Sequence, residues 1–165
     1  MCGIIAVIGS YRYSEIPKAL IERGRDSQGI YEDEFVQLIQ TRLEITPCKI
    51  DLPFQTDRYV LLFNGEIYNW KSFGGSNEFE SIIKGYDKYG SELLDKLDGQ
   101  FFILIYDKLT QNIVTFNDEF KINSCWYIRL DESLILASNL RSLPKIKFKE
   151  MSLNGYGNIT NAKIL

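Results

Sequence analysis

Short apolar runs separated by polar punctuation set the rhythm of this chain. Gly3 to Ile8 (GIIAVI) is apolar at nearly every position, as expected of a strand covered on both faces. Ser14 to Glu22 has the marks of a short helix, with Ser14 as cap and Pro17 in its first turn. Glu34 to Arg42 predicts a strand, and Tyr59 to Phe63 (YVLLF) a second buried one. Phe79, Ile82, Ile83 and Tyr86 fall at i, i+3, i+4 and i+7, which predicts an amphipathic helix over Glu78 to Tyr89, closed by Gly90. Ser91 to Leu97 predicts a second short helix with Leu93, Leu94 and Leu97 inward. Four strand candidates then follow closely: Gln100 to Tyr106, Asn112 to Phe116, Cys125 to Leu130 and Ser133 to Ala137. Their spacing suggests an antiparallel meander. Asn139 to Leu143 reads as a helical turn and Met151 to Leu165 as a final hairpin. Strands at both ends with helices in the middle argue for an α+β fold, two antiparallel sheets with helices outside.

The bulk numbers narrow the function. A length of 165 residues without internal repeats or a linker suits a single domain, residues 1–165. No run is long and apolar enough to span a membrane, and the opening residues lack the basic start and cleavage signal of a secretory leader. The expected location is cytoplasmic. A net charge of −3, with no stripe of Lys or Arg, argues against a nucleic-acid partner. The 3 cysteines, at positions 2, 48 and 125, make neither a disulfide framework nor a zinc site, so no metal or cofactor is expected. The chain has 0 histidines. That removes every Cys-His or Ser-His catalytic pair and any proton shuttle built on imidazole.

Cys2 has two readings by itself. It is a small buried hydrophobe at the start of a strand, or it is a nucleophile. Removal of Met1 would expose an α-amine of pKa about 7.7–8.0 beside a thiol of about 8.5. Such an amine serves as general base for its own thiol, directly or through one water, and so replaces the missing histidine.

The wider pattern decides between them. MCGIIAVIG at the start, RGRDSQG (Arg23 to Gly29), QTRLEI (Gln40 to Ile45), FNGEIYN (Phe63 to Asn69) and LDGQFFILIYD (Leu97 to Asp107) stand in one order along the chain. Together they resemble the class II glutamine amidotransferases, the N-terminal-nucleophile glutaminase domains; NGEIYN is in the form found in asparagine synthetases. The resemblance implies a four-layer αββα sandwich, the N-terminal-nucleophile hydrolase fold. It implies the reaction of glutamine and water to glutamate and ammonia, through a γ-glutamyl thioester on Cys2. Asn64, through its side-chain NH₂, and Gly65, through its backbone N–H, would form the oxyanion hole. Arg42 would clamp the substrate α-carboxylate with its two-pronged guanidinium. Arg23 and Gly24 would shape the wall around Cys2. Taken singly these motifs have plainer readings: Asn-Gly after a strand is a hairpin turn, and an Arg at a strand end is a solvated charge.

The chain departs from the family pattern in three places. The family Asp that holds the substrate α-ammonium is replaced by Glu78 in SNEFES, one methylene longer. An acid there also suits the first turn of a helix for its own sake. The stretch RDxxGxxPLYY of the family corresponds to NDEFKINSCWYI (Asn117 to Ile128), where Asp118 and an aromatic end survive. Trp126 and Tyr127 there read as core or edge-strand residues. No synthetase-type pyrophosphate loop follows, so the ammonia acceptor is expected to be a separate synthetase or ligase subunit. The alternatives are a silent glutamine-binding or regulatory module, and a hydrolase of another amide.

Overall fold

The computed structural model of the chain describes residues 2–44 and 50–145. In chain order its elements are β1 (Gly3–Ile8), α1 (Lys18–Ile21), β2 (Ser27–Glu32), β3 (Val36–Arg42), β4 (Phe54–Gln55), β5 (Tyr59–Ile67), α2 (Glu78–Tyr89), β6 (Gly99–Asp107), β7 (Asn112–Asn117), β8 (Trp126–Leu130) and β9 (Ser133–Ala137). Three 3-10 segments, at Trp70–Phe73, Gly90–Lys96 and Leu140–Ser142, complete the described set. The strands form two sheets, one of 5 strands in the order β2-β3-β1-β9-β8 and one of 4 in the order β4-β5-β6-β7. Every described strand pairing is antiparallel, so the expected α+β class with two antiparallel sheets is what the chain adopts. The two sheets belong to two compact units. One is built from the segments ending at Pro53 and beginning at Cys125; the other is Phe54–Ser124.

In the first unit, β1 sits between β3 and β9, and all six of its residues are buried. Its unbroken apolar run is the sequence a strand needs when both faces are covered. Ile5 lies opposite Ile39 on one side and Ala137 on the other, and Val7, Leu20, Ile135 and Leu143 join them in one core cluster. Each such aliphatic side chain contributes about 1.5–3 kcal/mol by leaving water. The first helix is shorter than predicted. Ser14 does not cap it; Pro17 stands at the N-cap, and its carbonyl accepts from the N–H of Leu20 at 2.8 Å. A proline there pushes the preceding residue out of the helical region, so the helix cannot begin earlier. β3 also starts two residues late, because Asp33 Oδ1 takes the N–H groups of Phe35 and Val36 and makes a turn of Glu34 and Phe35.

In the second unit, α2 has the predicted bounds. Asn77 caps it, its side chain accepting from Glu80 N–H at 3.0 Å. Phe79 packs edge-on to Phe63 and Tyr86 edge-on to Tyr59, which seats the helix on β5. β5 runs on past Phe63 to Ile67, so Asn64 and Gly65 lie inside a strand and make no hairpin turn. Gly65 has φ +134, and a Cβ there would come within 2.0 Å of the Gln100 carbonyl, so only glycine carries the strand through this point. The predicted four-strand meander is instead two hairpins. β6–β7 belongs to one sheet and β8–β9 to the other, with 118–125 between them. The predicted hairpin at Met151 to Leu165 lies outside the described residues.

Candidate active site

Cys2, Arg23, Gly24 and Arg42 fall in the first unit; Asn64, Gly65 and Glu78 fall in the second. In the first, the register Gly3↔Thr41 sets Cys2 at the end of β1 where β3 finishes in Arg42. The Cys2 thiol is acted on by Arg42 and Arg23 and by the N–H of Leu43. Burial pushes its pKa up; the Leu43 hydrogen bond and the two guanidinium charges pull the other way without cancelling it. A thiol raised in this way is protonated at neutral pH and needs a base before it can attack. Arg42 is buried at 7% exposure, although it ends its strand.

The RGRDSQG segment is laid along the end of β3 by its backbone. Asp26 N–H donates to the Arg42 carbonyl at 3.0 Å, and Asp26 Oδ2 accepts from Glu44 N–H at 2.6 Å. Gly24 lies so close that a Cβ on it would stand 2.4 Å from the Arg42 nitrogen. This close approach brings Arg23 to the same end of the sheet, where its Nη1 donates to the Ser138 carbonyl at 2.8 Å. Ser138 in turn accepts Ile4 N–H through Oγ at 2.9 Å and donates its own N–H to the Ile4 carbonyl at 3.0 Å. The residue after β9 therefore ties Arg23 to the strand that carries Cys2.

In the second unit Asn64 and Gly65 are consecutive on β5, opposite Phe102 and Phe101 of β6. The Asn64 side chain is 1% exposed, and its Nδ2 donates to Asn123 Oδ1 at 3.1 Å. Glu78, the first residue of α2, accepts Ile67 N–H through Oε1 at 2.8 Å. The carboxylate thus faces the end of the strand that carries Asn64 and Gly65. Its neighbour Glu80 is turned to the helix start, where Oε2 accepts from the Ser76 N–H and hydroxyl. Hydrogen bonding to Ser76 holds the Glu80 carboxyl below its ordinary range.

The motif-based reading did not single out Ser138 and Asn123. Ser138 follows a strand end, and Asn123 lies in the stretch that departs from the family pattern. Neither carries a local signal, because each acts across a long sequence separation. Among the described residues no group of three or more Cys, Asp or Glu is placed to hold a metal ion, and no helix is long and apolar enough to cross a membrane.

Comparison with known proteins adds the family. The chain is 32% identical over 165 residues to the glutamine-hydrolysing asparagine synthetase of Triphysaria versicolor, covering 87% of this chain and 28% of that protein. It is 26% identical over 167 residues to glutamine-hydrolysing asparagine synthetase 1 of Bacillus subtilis (strain 168), covering 87% of this chain and 26% of the relative. The chain therefore spans little more than a quarter of these relatives' length. Among solved structures it resembles the glutamine phosphoribosylpyrophosphate amidotransferase from B. subtilis, complexed with ADP and GMP. The TM-score is 0.66 at 15% identity, over 83% of this chain and 42% of that one, a likeness of fold. A family model for the glutamine amidotransferase domain matches residues 1–159. By the extent of that match, and with the expected motifs in order along it, this chain belongs to the glutamine amidotransferase domain family.

Proposed function

We propose that the chain hydrolyses glutamine to glutamate and ammonia, with Cys2 as nucleophile once Met1 is removed, and that the ammonia serves a separate acceptor enzyme. The observation that carries this reading is the setting of Cys2: a half-buried thiol at a strand end, met by an N–H donor and two guanidinium charges, in a chain with 0 histidines. The Cys2 α-amine takes the thiol proton. The sulfur attacks the glutamine side-chain carbonyl, forming a C–S bond and an oxyanion. Asn64 Nδ2 and Gly65 N–H are the donors for that oxyanion. Collapse breaks the C–N bond, and ammonia leaves with the proton held by the amine. Water then cleaves the thioester and returns the thiol. Arg42 is the partner for the substrate α-carboxylate and Glu78 for its α-ammonium, with Arg23 and Gly24 supporting the Cys2 terminus. The relatives named above are glutamine-hydrolysing asparagine synthetases several times longer than this chain, which supports an acceptor outside residues 1–165.

The test is ammonia release from glutamine by the parent chain, Cys2→Ala and Asn64→Ala, with intact mass recorded for each. Cys2→Ala should release none, and Asn64→Ala should lose about 10²–10³ in kcat. Either variant working at the parent rate would remove its residue from the mechanism. One observation favours a second reading, a glutamine-binding module without turnover: Glu78, longer than the family Asp, already holds the Ile67 N–H. Retained Met1 would point to silence, and glutamine binding with no ammonia from the parent chain would establish that reading instead.

A further inference from the structure

The segment after β7 is fastened to the strand that pairs with the Asn64-Gly65 step. Asp118 N–H donates to the Phe101 carbonyl at 3.0 Å, and Phe101 N–H donates to Asp118 Oδ2 at 3.0 Å. Phe101 is the residue opposite Gly65. Asp118 then shapes the turn that follows. Its Oδ1 accepts Ile122 N–H at 3.1 Å, its carbonyl accepts Lys121 N–H at 3.0 Å, and Lys121 takes φ +52. Asn117 Nδ2 donates to the Asn123 carbonyl at 2.9 Å. These bonds hold the Asn123 backbone without using its side chain. The side chain reaches elsewhere: its Oδ1 accepts from Asn64 Nδ2 at 3.1 Å, across 59 residues of sequence, with Asn123 itself 8% exposed.

An asparagine carboxamide turns broadly about its terminal torsion, so a donor of this kind is well aimed only when something fixes its plane. The amide nitrogen carries two hydrogens in one plane, and holding one sets the direction of the other. A donor fixed before the reaction needs no reorganisation when charge develops. We propose that Asn123 is a positioning residue for the Asn64 oxyanion donor, its carboxamide oxygen fixing the direction in which the Asn64 amide points. This rests on the reading of Asn64 given above. Asp118, one of the residues retained from the family stretch, is what brings Asn123 into register with Asn64 and Gly65.

The experiment is steady-state ammonia release from glutamine by the full chain and four variants: Asn64→Ala, Asn123→Ala, Asn123→Leu and the double Asn64→Ala/Asn123→Ala. Asn123→Leu keeps the side-chain bulk and removes the acceptor, so either single variant at 123 suffices if the other does not fold. Loss of the acceptor should lower kcat about tenfold with KM held within about twofold. The double variant should be no slower than Asn64→Ala, because Asn123 acts only through Asn64. In ¹⁵N-labelled protein, the Asn64 side-chain amide pair, identified by its loss in Asn64→Ala, should move upfield when Asn123 is replaced. Parent kcat in both Asn123 variants, beside an impaired Asn64→Ala, overturns the positioning role and leaves Asn64 as the donor. Losses that multiply in the double variant, a loss confined to KM, or an unmoved amide pair overturn it as well. Parent kcat in Asn64→Ala overturns both assignments together.

Discussion

Asp107 has all its acceptor capacity committed where β6 turns into β7. Oδ2 takes Arg58 Nε at 3.0 Å and Nη2 at 2.7 Å, while Oδ1 takes the N–H groups of Leu109 and Thr110 at 2.9 and 3.3 Å. Burial alone would raise its pKa. The Arg58 fork and the two backbone donors outweigh that and hold the carboxyl below its ordinary range. The sign of the linkage follows. A folded pKa lower than the unfolded value of about 3.9 gives a contribution that is complete above about pH 3.9. It is lost as the pH falls through the lowered folded value. Asp107→Ala should cost about 2 kcal/mol in urea unfolding at pH 7, and the difference from the parent should shrink at pH below about 3.9. A difference that stays constant across that range would show that charge has no part in it. Cys2 shows the opposite case at the same scale. Its thiol environment comes from Leu43, Arg42 and Arg23, and all three lie in motifs that pointed to it.

Periodicity revealed the elements whose burial is one-sided or complete. β1 and α2 have the bounds read from the chain, because an unbroken apolar run of strand length and a 3.6-residue stripe of helix length each mark one element. β2 was not legible. SQGIYE is an edge strand with alternating half-buried and exposed positions and no apolar alternation to mark it. The extension of β5 through Asn64 and Gly65 was hidden for the opposite reason, since Asn-Gly is the commonest signature of a turn. What overrides that preference is pairing with Phe102 and Phe101, a contact made by distant sequence. Position within each sheet also grades its stability. β1 is hydrogen-bonded on both sides and wholly buried, whereas β2 and β8 are the edges of the five-stranded sheet. In native-state amide exchange, β1 should be the slowest strand of that sheet and β2 and β8 the fastest. Protection in β2 equal to that in β1 would contradict the edge placement.

For the molecule as a whole, the family and the fold class were legible because five short motifs keep their order along the chain. The motifs named the residues that would meet a substrate. They did not name the residues that hold those side chains, such as Ser138 and Asn123, because a hydrogen bond across 115 or 59 residues leaves no local trace. The placement of Asn64 and Gly65 inside β5 also bears on how the protein ages. In a loose turn, the glycine nitrogen of an Asn-Gly step attacks the carboxamide carbon of the asparagine, expels its nitrogen as ammonia and closes a five-membered succinimide, which water opens to aspartate or isoaspartate. Here the step is extended and paired with β6, and the carboxamide is held by Asn123, so nitrogen and carbonyl are kept from the geometry of ring closure. Folded protein stored for weeks at mildly alkaline pH should therefore keep Asn64 intact by peptide mapping, while the urea-unfolded chain converts it. Equal conversion in both would mean that the strand gives no protection. If the protection holds, the strand pairing preserves Asn64 chemically, and unfolding would put an irreversible mark on the chain at the residue proposed as the oxyanion donor.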